Sequence, residues 1–210
     1  MKDDLIIQQP LDKISADTEL LLLFHGVGSS ADDLRLLGQA LAEHRPAAWV
    51  ISVRAPEPSD FGQGWQWFSV RGVSEVNRPA RVASALTAFR QAVAMWQAHC
   101  GVGAVRTTLI GFSQGAIMAL ESTQQPGSTL AMQVISIAGR LAQPAHEASD
   151  TFVNLMHGDE DQVVPVSLAV DVLSQFQTLG IRSTLDRFAG LGHGIDARVV
   201  DAVAKRIAER

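Results

Sequence analysis

The sequence predicts an α/β fold, a mostly parallel central sheet with helices on both faces. Two observations carry this. Short apolar, branched runs alternate with longer stretches of helical period, as βα units around a buried sheet do. The chain has 210 residues, 47% of them hydrophobic and 19% charged, which suits one domain over residues 1–210 with a good-sized core.

Strands are expected at 20–25, 48–53, 106–111, 132–137, 151–156 and 183–188, with an edge strand near 5–9 before Pro10. Between them, residues 32–43 place Leu34, Leu37 and Leu41 on one helical face, behind Ser30 and Asp33 at capping-box spacing. Pro79 suits a first helical turn, and Val82, Leu86, Phe89, Val93 and Trp96 follow in steps of four and three, so 79–98 reads as a long helix that Gly101 ends. Further helices are expected directly after Ser113, over 165–179 with Gly180 as its stop, and over 195–207. Residues 54–78 form the one long irregular stretch, and long loops of this kind tend to be functional.

Lysine and arginine total 17 against 22 acidic residues, a net charge of -5, so nothing electrostatic recruits nucleic acid or an anionic membrane. A single cysteine, Cys100, excludes an internal disulfide and fits a reducing compartment. Residues 1–10 lack the basic start and apolar run of a signal peptide, and the apolar stretch 20–24 is too short to span a bilayer. The expectation is a soluble cytoplasmic protein without stable membrane insertion. Its partner would be a small molecule or another protein, a homodimer included.

The chemistry starts at Gly111-Phe112-Ser113-Gln114-Gly115, a G-x-S-x-G pentapeptide between a β-branched strand and the strongly helical run 116–120. Strand, sharp turn and helix are the order a nucleophilic serine needs. The turn exposes its oxygen, and the flanking glycines remove side chains where helix crosses strand. The arrangement is similar to the nucleophile elbow of the α/β-hydrolase fold, in which an acid and then a histidine follow on later strand ends. Residues 157–165 offer Asp159, Glu160 and Asp161 after one strand, and spacing does not choose among them. After the last strand, Gly190-Leu191-Gly192-His193-Gly194 offers His193 as the base. His25-Gly26-Val27-Gly28 follows the strand at 20–25, where glycines let a loop turn its amides inward, so Val27 N–H and Gln114 N–H are the expected oxyanion donors.

His44, His99 and His146 read as surface residues, and His25 and His157 as loop-ordering ones. Cys100 reads as an inert thiol, and the aromatics Trp65, Trp67 and Phe68 either line an apolar substrate pocket or form their loop's own small core.

Phe24-His25-Gly26-Val27-Gly28, the G-x-S-x-G segment, His157-Gly158-x-x-Asp161-x-Val163-Val164-Pro165 and Gly192-His193 together resemble the phospholipase/carboxylesterase family, which includes acyl-protein thioesterases and small bacterial carboxylesterases. The resemblance spans residues 20–195. It implies a triad of Ser113, Asp161 and His193, oxyanion donors at Val27 and Gln114, no metal, and hydrolysis of carboxylic esters or thioesters; Asp159 is the fallback acid, and the expected mechanism needs no cofactor. Thioesterase members usually carry Asp where this chain has Ser29, and Trp-Phe-Asp where it has Trp67-Phe68-Ser69, which points away from a lipidated-protein substrate. With so little chain beyond the minimal fold, an open cleft without a large cap, taking short or medium acyl chains, is expected. The competing expectations are an acyl-protein thioesterase or lysophospholipase, a dienelactone hydrolase or small peptidase on the same fold, and a non-catalytic ligand-binding protein on a hydrolase scaffold.

Overall fold

The computed structural model describes residues 3–10, 17–127 and 129–209. A seven-stranded sheet runs through the middle in the order β1 (Leu5–Gln8), β3 (Ala48–Val53), β2 (Glu19–Phe24), β6 (Thr107–Phe112), β7 (Gln133–Ile137), β8 (Phe152–Gly158) and β9 (Ser183–Phe188). Every pairing is parallel except that of the edge strand β1 with β3. Each strand lies within about two residues of its expected place.

The leucine run of β2 shows why the interior strands are apolar without alternation. Leu20, Leu22 and Phe24 point into one hydrophobic layer, and Leu21 and Leu23 into the other. The first layer is completed by α2 (Arg78–Cys100), α3 (Gln114–Ser122) and α4 (Val166–Thr178), the second by α1 (Arg35–His44) and α5 (Ala197–Ala208). Helices therefore cover both faces, and fully burying each leucine contributes about 1.5–3 kcal/mol.

Two places differ from the sequence expectation. The helix expected over 32–43 begins as a tight turn at Ala31–Leu34, where Asp33 accepts from Ser30 N (2.8 Å), and becomes α-helical from Arg35. The irregular stretch 54–78 contains a small antiparallel ribbon, β4 (Glu57–Pro58) with β5 (Trp65–Gln66). Among the described residues no large cap stands over the sheet.

At the edge of the sheet where β6 to β9 begin, polar side chains cross four strands in sequence. Thr108 donates to Gln133 (3.2 Å), Gln133 to Asn154 (2.8 Å), and Asn154 to Thr184 (2.8 Å). Gln133 also reaches Arg206 O in α5 (3.0 Å), so these buried amides are satisfied and their strands are held in register.

Candidate active site

The opposite edge of the sheet, where the parallel strands end, gathers the residues singled out by sequence. Ser113 sits between β6 and α3 with φ 52 and ψ -114, a left-handed conformation that costs a non-glycine residue about 1–3 kcal/mol. Glycine is required beside it: a Cβ on Gly111 would lie 2.5 Å from the Ala116 backbone.

His193 reaches Ser113 from the loop after β9. Its Nδ1–H donates to Asp161 Oδ2 (2.7 Å), which leaves Nε2 as the acceptor facing Ser113 Oγ (2.9 Å). Asp161 is buried, and its Oδ1 accepts from the Val163 (2.8 Å) and Val164 (2.9 Å) amides. Burial opposes its ionisation, but donation from His193, Val164 and Val163 outweighs burial and holds the carboxyl below its ordinary value. His157 donates from Nε2 to Val164 O (2.7 Å), anchoring the same turn, and that nitrogen stands 3.3 Å from Asp161 Oδ2. Backbone bonds join the loops that carry the acid and the histidine, Asp159 N to Phe188 O (3.0 Å) and Glu160 N to Leu191 O (2.9 Å).

The loop after β2 lies directly beside Ser113, since a Cβ on Gly26 would come 3.2 Å from the Ser113 Cβ. Ala55 N–H donates to His25 Nε2 (3.0 Å), which leaves the hydrogen on Nδ1, and Nδ1 donates to Gly26 O (2.7 Å). Burial pushes the His25 pKa down, favouring this neutral form. With the Gly26 carbonyl turned to the His25 ring, the trans Gly26–Val27 peptide aims the Val27 N–H the other way. Gln114 N–H opens α3, where first-turn amides have no intrahelical acceptor.

The three loop aromatics have separate surroundings. Trp67 and Phe68 are buried in the larger hydrophobic layer, Trp67 against Phe24 and Phe89. Both border a groove of about 420 Å³ against α2, lined also by Pro56, Ala80, Ala85 and Ala88, and Ser113 is not among its lining residues. Trp65 is partly buried, with the Arg54 guanidinium 3.6 Å from its ring centre. His157 orders its loop as expected, but sequence reasoning missed its approach to Asp161 and the buried side chain of Gln114, to which the second x of G-x-S-x-G was a pointer. Ser29 and Ser69 each donate to a nearby acid, Asp33 (2.6 Å) and Asp60 (2.7 Å). His44, His99 and His146 are exposed, and burial pushes the Cys100 thiol up to about 12. Among the described residues no three His, Cys, Asp or Glu side chains group as metal ligands, and no helix is long and apolar enough to cross a membrane.

Comparison with known proteins bears on the family and the fold. The chain is 44% identical over 200 residues to Esterase YpfH of Escherichia coli (strain K12), covering 94% of this chain and 84% of that protein. Esterase PE8 has a crystal structure that superposes with a TM-score of 0.83 at 32% identity, over 91% of this chain and 92% of that one. The Bacillus cereus carboxylesterase shares the fold, with a TM-score of 0.82 at 16% identity over 98% and 93% of the two chains. The family model described as Phospholipase/Carboxylesterase matches residues 6–209, and the chain belongs to that family of α/β-hydrolases as an esterase.

Proposed function

We propose that the chain is a serine esterase that cleaves short- to medium-chain acyl esters through an acyl-enzyme. The observation that carries this is the unbroken hydrogen-bonded line from Ser113 Oγ through His193 to Asp161, ending on a serine held in a strained turn. Ser113 attacks the acyl carbon while His193 Nε2 takes its proton, and Asp161 stabilises the imidazolium. The carbonyl oxygen becomes an oxyanion facing the Val27 and Gln114 amides, each such donor being worth roughly 10² to 10³ in rate. His193 returns the proton to the leaving alcohol, and water then repeats the sequence on the acyl-enzyme. No metal or cofactor takes part in this scheme.

Thioesters would react by the same steps. Ser29 and Ser69, each bonded within its own loop, favour a small ester over a lipidated protein. The free buried thiol of Cys100 supports a cytoplasmic setting. The test is covalent labelling by a fluorophosphonate, with turnover measured on esters and thioesters of graded chain length. Labelling lost in Ser113→Ala, with turnover greatest on short and medium esters, supports the proposal; labelling kept in that variant ends it.

A further inference from the structure

The two amides assigned to the oxyanion lie on separate loops, and a glycine adjoins each of them. Glycine permits the required backbone and also permits many others. Something else must hold both amides inward, because donors aimed before the reaction begins are what make such a site effective.

The contacts meet at Trp67. Its indole Nε1–H donates to His25 O (3.1 Å), fixing the peptide before Gly26, while the His25 ring fixes the peptide after it. The Trp67 main-chain N–H donates to Gln114 Oε1 (2.7 Å), and Gln114 Nε2 donates to Phe68 O (2.7 Å). Gln114 is 2% exposed and Trp67 also 2%, so water does not compete for these bonds. The loops themselves touch here, since a Cβ on Gly115 would meet His25 O at 2.8 Å. Trp65 closes the bracket: its carbonyl accepts from Gly28 N (2.9 Å) and its N–H donates to Ser29 O (2.8 Å).

We infer that Trp67 is a positioning residue for the oxyanion site, its indole and backbone tying the Val27 loop and the Gln114 side chain into one rigid bracket. This rests on the triad reading above. It assigns the tryptophan to the chemical step, through the two amides, instead of to substrate binding.

The test is Trp67→Phe, which keeps an aromatic ring in the core and removes the N–H to His25 O together with the second ring of the indole. The concentration of competent sites is first fixed by fluorophosphonate titration. The expected result is kcat lowered about 10-fold or more, a part of what losing an oxyanion donor costs, with KM nearly unchanged. Affinity for a trifluoromethyl ketone should fall by the same factor. In that adduct Ser113 Oγ bonds the carbonyl carbon, its proton passes to His193, and the resulting alkoxide occupies the oxyanion site without turnover. Gln114→Met, of similar length and unable to hold Trp67 N–H, should show the same signature and serves if the first variant does not fold. A raised KM at constant kcat would make the ring a substrate contact and overturn the inference. So would unchanged kcat with only a lower Tm. Labelling that persists in Ser113→Ala would instead defeat the underlying triad, so the two failures are distinguishable.

Discussion

Asp159 and Asp161 lie two residues apart on one loop and face different partners. Asp161 turns inward to His193 and two backbone amides, whereas Asp159 bonds the Arg187 guanidinium at 2.7 Å on the outer side of β9. Asp161→Asn would set an amide group against donors on both of its oxygens and disturb the His193 tautomer, so kcat should fall about 10⁴-fold. Asp159→Asn should stay near wild type. Steady-state kinetics on an activated ester checks the ranking, and the opposite order would transfer the acid role to Asp159.

The strain at Ser113 predicts a split between activity and stability. Ser113→Ala should lose several orders of magnitude in turnover with Tm nearly unchanged, because alanine suffers the same left-handed backbone. Ser113→Gly should be equally inactive yet more stable by about 1–3 kcal/mol, the strain relieved. Chemical denaturation of both variants measures it, and a glycine variant no more stable than the alanine one would contradict the strain.

Gly158 ends β8 where the histidine loop rests on it. A Cβ there would overlap Leu191 O and lie 2.6 Å from Gly192 O, both backbone atoms that cannot swing aside. Gly158→Ala should push the His193 loop outward and lower kcat by at least about 10²-fold, since a misplacement of about 1 Å can cost that much. Fluorophosphonate labelling rates would report the displacement without a full turnover.

Asp60 ties together the loop that carries the aromatics, accepting from Ser69 Oγ (2.7 Å), Val70 N (2.7 Å) and Arg71 N (3.0 Å). The Ser69 hydroxyl leads the donors that hold its carboxyl down at about 2, from an ordinary 3.8. A carboxyl depressed in the folded state stabilises fully above its unfolded value and loses that contribution as pH falls through its folded one. The loop should therefore loosen between about pH 4 and about pH 2. Tryptophan fluorescence should register the change, and Asp60→Asn should lack that acid-side transition.

Much of this arrangement was legible in the sequence because its signals are local. β2 and β6 are buried on both faces, β2 reading as a nearly continuous apolar run and β6 as a β-branched one, and the elbow at Ser113 is written in five consecutive residues. Other features depend on partners distant in the chain. The orientation of Asp161 depends on the Val163 and Val164 amides together with His193, and that of Asp159 on Arg187, so spacing could not separate the two. Trp67 stood among Pro and Gly in an irregular stretch, and the carbonyl its indole meets is 42 residues away. The β4–β5 ribbon was missed because two-residue strands carry no periodicity.

The polar ladder from Thr108 to Thr184 lies far from Ser113, yet it governs how high each active-site loop stands. A β-strand hardly stretches, so fixing β6, β7, β8 and β9 where they begin also fixes how far each projects where it ends. One residue of slippage would move a loop by about 3.3 Å, more than the entire 2.9 Å separating Ser113 Oγ from His193 Nε2. Four uncharged side chains at the floor of the sheet thus act as the gauge for contacts made at its rim.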